Sequence, residues 1–219
     1  MSTDGPLTIV ALGDSTTAGT PGFRSPVEVP PDGEGDHTSQ FAWWLMQAEP
    51  AWRVLNRGVD GERTDEIAAR FDRDVLAHAP GALTADSHFR TGFGVQAERL
   101  PYPVLVLLAG VNDVYQGRDV EAVQAQLLAM YTRAGQAHIP VVACSIIPFD
   151  TATAEQNARM HAINAWIRTI ASSRPGMAYC DTRAAAAKPD DIDQLHPTAA
   201  GYRRMADALL PVLRALASP

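Results

Sequence analysis

Five short apolar runs punctuate the chain, at 8–12, 52–56, 103–108, 141–146 and 177–180. Nearly continuous apolar character over so few residues predicts strands buried on both faces. Between these runs apolar residues recur at helical spacing. Phe41, Trp44, Leu45 and Ala48 do so after Ser39, a candidate cap, and Ile67, Phe71 and Val75 do so within 62–76. After Asp119 come Val123, Leu127, Met130 and Ala134; then Met160, Ile163, Ile167 and Ile170 within 154–172; and Met205, Leu209, Val212, Leu213 and Leu216 in a helix from about Pro197. Strands alternating with helices predict an α/β fold, a parallel sheet covered on both faces.

Two stretches break the rhythm. Residues 20–38 are rich in Pro and Gly and carry Glu28, Asp32, Glu34 and Asp36, and 79–101 show little periodicity. Both read as irregular insertions, and the first is long enough to be a candidate cover for a substrate site.

Composition narrows the picture only a little. The 219 residues suit one domain, 1–219, able to bury its own core. A net charge of −7 argues against nucleic acid as the partner, because phosphate backbones reward basic surfaces. No apolar run approaches the roughly 20 residues of a membrane span. The N-terminus lacks the basic and apolar regions of a secretory signal, so a cytoplasmic location is expected. Cys144 and Cys180 lie in strand-like runs and read as buried reduced thiols. Neither they nor the histidines show ligand spacing, so no metal and no cofactor is expected.

The chemistry lies in the turns. In a parallel sheet the carboxyl ends of all strands share one edge, where such folds bind ligands. Ser15 follows the first strand, Gly61 the second, Asn112 the third, and Asp193-Gln194-Leu195-His196 the fifth. Acyl transfer from an ester needs a nucleophile, a base for its proton and donors for the developing oxyanion. Ser15 supplies the nucleophile and His196 the base, with Asp193 to hold the imidazole tautomer. Backbone N–H groups at Ser15 and Gly61 and the Asn112 amide are the candidate oxyanion donors. Gly58 is an alternative to Gly61, and Asp191 to Asp193. Arg63 and Tyr115, just beyond two of these turns, are candidate substrate-binding residues. Asp14 and Asp113 read as turn acceptors without a catalytic step.

Gly13-Asp14-Ser15, the 56–61 turn, Gly110-Val111-Asn112-Asp113 and Asp193-Gln194-Leu195-His196 resemble, in order and spacing, the four blocks of the GDSL-type, or SGNH, esterases and lipases. The resemblance spans nearly the whole chain, although Thr16 stands where the family name has leucine; in the second block the five-residue offset from Asn56 favours Gly61 over Gly58. It implies a flavodoxin-like three-layer α/β/α sandwich with a five-stranded parallel sheet in the order 2-1-3-4-5. It also implies hydrolysis of carboxylic esters, thioesters or O-acetylated sugars through an acyl-enzyme. An acyltransferase using the same residues, and a catalytically silent carbohydrate- or lipid-binding module, are the alternatives. The expected partner is a small-molecule ester.

Overall fold

The computed structural model describes residues 7–78, 103–186 and 192–217, with Ile192, Asp193 and Ala217 described by their backbone alone. The second expected insertion, 79–101, lies outside these residues, as does Asp191. In chain order the elements are β1 (Thr8–Gly13), α1 (Ser15–Ala18), β2 (Phe23–Arg24), β3 (Glu34–Gly35), α2 (Phe41–Ala48), β4 (Arg53–Gly58), α3 (Thr64–Ala69) and α4 (Phe71–Asp74). There follow β5 (Val104–Leu108), α5 (Val111–Tyr115), α6 (Val120–Gln136), β6 (Val141–Cys144), α7 (Ala154–Ser173), β7 (Met177–Cys180), α8 (Thr182–Ala185), β8 (Ile192–Asp193), β9 (His196–Pro197) and α9 (Ala199–Ala217).

β4, β1, β5, β6 and β7 form one parallel sheet in that order, which is 2-1-3-4-5 when the sheet strands alone are numbered. Successive residues of each strand point to opposite faces, so every inner strand feeds two cores. Val10, Leu12, Leu105 and Leu107 meet Ile67, Leu127, Met130 and Ile163 on one face. Ile9, Ala11, Val104, Val106 and Leu108 meet Phe41, Leu45, Met205 and Leu209 on the other. This double burial is why the strands read as continuous apolar runs, and each such side chain contributes about 1.5–3 kcal/mol.

The helix expected over 62–76 is broken at Arg70 into α3, α4 and a 3-10 turn, Leu76–His78. Arg70 is buried, and its guanidinium donates to Gly13 O and Arg57 O at 2.8 Å while pairing with Glu62 and Asp74 at 2.6 Å. Those bonds reward a bend that apolar periodicity does not encode. Ser39 does not cap α2; it sits in a 3-10 turn, His37–Ser39, and Gln40 takes the cap position. The last helix begins at Ala199, because His196 and Pro197 pair with Ile192 and Asp193 in a small hairpin.

The first insertion is partly regular. β2 and β3 pair antiparallel within it, and the arm is anchored at the sheet edge. Ser25 Oγ donates to Gly58 O at 2.5 Å, and the Glu28 carboxylate accepts from Ser25 N at 2.8 Å and from Asp60 N at 3.1 Å. Rather than lying loose over the surface, the arm braces the turn that follows β4.

Candidate active site

Ser15 opens α1 at the carboxyl end of β1 and is only 2 % exposed. The preceding Asp14 caps this helix, accepting from Thr16 N at 3.0 Å and Thr16 Oγ1 at 2.7 Å with one carboxylate oxygen. The other oxygen, Oδ2, is buried without a partner. Burial pushes the Asp14 carboxyl up to about 6, against the pull of the Thr16 bonds and with a further upward push from Asp113. From α9, the buried Tyr202 reaches across to donate to Thr20 O at 3.2 Å, with Ser15 O at 3.5 Å. α1 is thus held from below by Asp14 and from the side by α9.

The two candidate glycines of the second block have different surroundings. A Cβ at Gly58 would lie 2.0 Å from Ala18 N, so this glycine exists to let β4 pass against α1. Gly61 is exposed, has φ +75°, and a Cβ there would meet nothing within 4 Å. Its turn faces open space at the rim, as a position meant to approach a ligand must. Asn56 fixes the strand end beneath: its Nδ2 donates to Ala18 O at 2.9 Å and Gln40 Oε1 at 2.8 Å, and its Oδ1 accepts from Gly58 N at 3.0 Å.

α5 brings the third block against this turn. Asn112 Nδ2 donates to Glu62 O at 2.8 Å, which uses one amide hydrogen and leaves the second for the rim. Asp113, fully buried, accepts from Thr64 N and from Thr64 Oγ1, both at 2.9 Å. Burial raises the Asp113 carboxyl above its ordinary value, with the Thr64 bonds opposing. Neighbouring side chains of one block therefore hold the segment that follows Gly61, at Glu62 and at Thr64.

Asp193 and His196 are directly opposite one another in the β8–β9 hairpin, whose turn places Gln194 in the left-handed region at φ 58°. Asp150 N donates to Gln194 O at 2.8 Å, fixing the hairpin to the loop after β6, and α1 packs against β9. The half-buried His196 strand thereby stands beside the helix that begins with Ser15.

Arg63 and Tyr115 lie on the same rim in different states. Arg63 contacts Asp65 at 3.2 Å, Glu66 at 3.5 Å and Gln116 Oε1 at 3.1 Å, so its charge is shared within the protein. Arg118 joins this cluster at 2.9 Å from Asp65, whose carboxyl is pulled down to about 2, mainly by that bond. Tyr115 is 56 % exposed and leans on Phe149 edge-to-face. Sequence reasoning passed over Thr64, Tyr202 and Asn56 as supports of the site. The Asn56 offset within the second block was the only visible signal for any of them, since Thr64 and Tyr202 act through partners far away in the chain.

A family model, the GDSL-like lipase/acylhydrolase family, matches residues 11–204. No curated protein matches the chain. Among solved structures, a member of the lipolytic protein G-D-S-L family from Veillonella parvula superposes with a TM-score of 0.71 at 19% identity, covering 95% of this chain and 98% of that one. A catalytic mutant of Axe2, an acetylxylan esterase from Geobacillus stearothermophilus, gives 0.66 at 19% identity with 94% of each chain covered. TesA gives 0.67 at 16% identity, covering 95% of this chain and 99% of its own. At these identities the superpositions establish the shared fold.

Proposed function

The chain belongs to the GDSL-like lipase/acylhydrolase family, and from that premise we propose that it hydrolyses carboxylic esters with Ser15 as nucleophile. The Ser15 oxygen attacks the ester carbonyl while His196 takes its proton, and Asp193 holds the imidazole and stabilises its charge. The oxyanion that forms is met by the N–H groups of Ser15 and Gly61 and by the Asn112 amide. Collapse of the tetrahedral species breaks the bond to the alkoxy oxygen, which leaves as an alcohol with the proton from His196. Water then attacks the acyl-Ser15 ester, again with His196 as base, releasing the acid and restoring the serine.

The observation that carries this reading is the bracing of the Gly61 turn by Asn112 and Asp113, beside the strand end that presents Ser15. An oxyanion site works because its donors are fixed before charge develops, and these bonds fix them. Arg63 and Tyr115 border the substrate. Arg63 acts there through its cluster rather than as a free charge, whereas the open Tyr115 ring offers a surface to an acyl or sugar group. The substrate class is a small acyl ester, a thioester or an O-acetylated sugar, which agrees with neighbours named as an acetylxylan esterase and as lipolytic proteins.

The test is covalent labelling with a fluorophosphonate, followed by peptide mass spectrometry. A single adduct on Ser15 is expected, with turnover of p-nitrophenyl esters abolished in step. An unlabelled protein that still turns over esters would overturn the assignment. Activity across p-nitrophenyl esters of rising acyl length, acetylated sugars and acyl-CoA then identifies the substrate class.

A further inference from the structure

Against the edge strand β4 lies a cavity of about 740 Å³ whose lining mixes cationic and apolar groups. Arg53 and Arg57 come from β4, Arg73 from α4, and His78 from the 3-10 turn behind it. Phe23, Pro30 and Met46 contribute apolar wall. In a chain of net charge −7 this concentration of cations stands out.

The acids within reach do not neutralise it. Asp74 is taken by Arg70 at 2.6 Å and by Arg73 at 2.7 Å, and Asp32 is exposed on the arm, as is His37. Arg57 pairs with no carboxylate among the described residues. Its Nε is buried without any hydrogen-bond partner, and its Nη2 faces His78 Nε2 at 3.5 Å. Burial and then the charges of Arg57 and Arg53 lower the His78 imidazole below its ordinary value, with Asp74 alone pulling upward. Arg53 and Arg57 therefore bring cationic N–H donors to the cavity wall with no carboxylate partner among the described residues, a set that an anion matches.

We propose that this cavity binds an oxyanion carried on an apolar body, a carboxylate or phosphate monoester whose charge is held by Arg57 and His78 and whose tail lies against Phe23, Pro30 and Met46. The proposal does not depend on the mechanism assigned to the ester-cleaving rim.

The test is NMR titration of the full chain, with histidine rings labelled, against octanoate, octyl phosphate and inorganic phosphate. The His78 resonance is identified by its loss in His78→Gln. Octanoate and octyl phosphate are expected to shift it and raise its titration midpoint, because a bound anion favours the imidazolium. Inorganic phosphate should bind more weakly than octyl phosphate. Arg57→Gln should weaken binding about tenfold or more, and Arg53→Gln, an exposed position on the same strand, should weaken it less. Ester hydrolysis should be unchanged in Arg53→Gln, and Ser15→Ala should leave the His78 response intact. A His78 signal unmoved by millimolar concentrations of all three anions overturns the site, as does binding that survives Arg57→Gln undiminished. Equal affinity for phosphate and octyl phosphate overturns the apolar half. Which of the two tailed anions binds more tightly identifies the headgroup.

Discussion

The carboxylate of Asp113 accepts both the backbone N–H and the hydroxyl of Thr64, each at 2.9 Å, and so joins the turn after β5 to the turn after β4. Asn112 adds its own bond to Glu62 O from the next position in the chain. The nucleophile and the donors proposed to serve it sit on separate strands, and this clamp keeps the donor turns in fixed relation. A displacement of the order of 1 Å in such a site costs about 100-fold in rate. Asp113→Ala is therefore expected to lower kcat about 100-fold while changing KM little. Asp113→Asn should recover much of the loss, because its Oδ1 can still accept from Thr64 N and its amide can donate to the Thr64 hydroxyl. Steady-state kinetics on one p-nitrophenyl ester checks both, and equal losses in the two variants would reject the positioning role.

Gly58 and Gly61 should fail in different ways when given a Cβ. In Gly58→Ala the new methyl would lie 2.0 Å from the Ala18 backbone, so the strand or α1 must move. Overpacking of this kind costs about 1–3 kcal/mol or more, and the melting temperature should drop accordingly. Gly61→Ala meets no neighbour but sits at φ +75°, a strain of about 1 kcal/mol. It should fold, with most of its activity lost, as circular dichroism melts alongside kinetics would show.

Asp14 gives stability a pH dependence of definite sign. Its carboxyl is raised from 3.8 to about 6 by burial, so the folded state holds the proton more tightly than the unfolded chain does. The contribution is fully present below about pH 4 and is lost as pH rises through about 6, in total about 3 kcal/mol. Asp14→Asn removes this titration. Denaturant unfolding at a series of pH values should show the variant gaining on the parent between about pH 4 and 6 and keeping a constant difference above that range. A difference independent of pH would contradict the buried, proton-binding state of Asp14.

His196→Ala should abolish turnover to about the level of Ser15→Ala, since base and nucleophile act as a unit. In the parent, kcat/KM should rise with pH as the imidazole loses its proton and becomes able to accept one. Asp193→Asn should lower kcat by about 10⁴-fold with the fold retained, the outcome when a triad imidazole is held in the wrong tautomer. Undiminished hydrolysis in His196→Ala would reject the base assignment.

The parallel sheet was legible because each inner strand is buried on both faces, and such burial writes itself as a short apolar run; the strand order came from the family resemblance, since apolar runs do not say which strands are neighbours. The convergence of Ser15, Gly61, Asn112 and the 193–196 stretch followed from the same fact, since parallel strands bring their carboxyl ends to one edge whatever fills the loops between them. The five-residue offset from Asn56 favours Gly61 over Gly58, but the different surroundings of the two glycines, the passage of Ala18 over one and the open space above the other, were not legible. Nor could the break at Arg70 be read from periodicity, which counts apolar faces and is blind to a guanidinium whose acceptors lie on β1 and β4. Local pattern determined which elements form and which edge gathers the polar turns. Contacts between residues dozens of positions apart, Asp113 with Thr64 and Tyr202 with Thr20, decided how rigidly those turns are held, because hydrogen-bond partners across a fold leave no spacing in the chain to read.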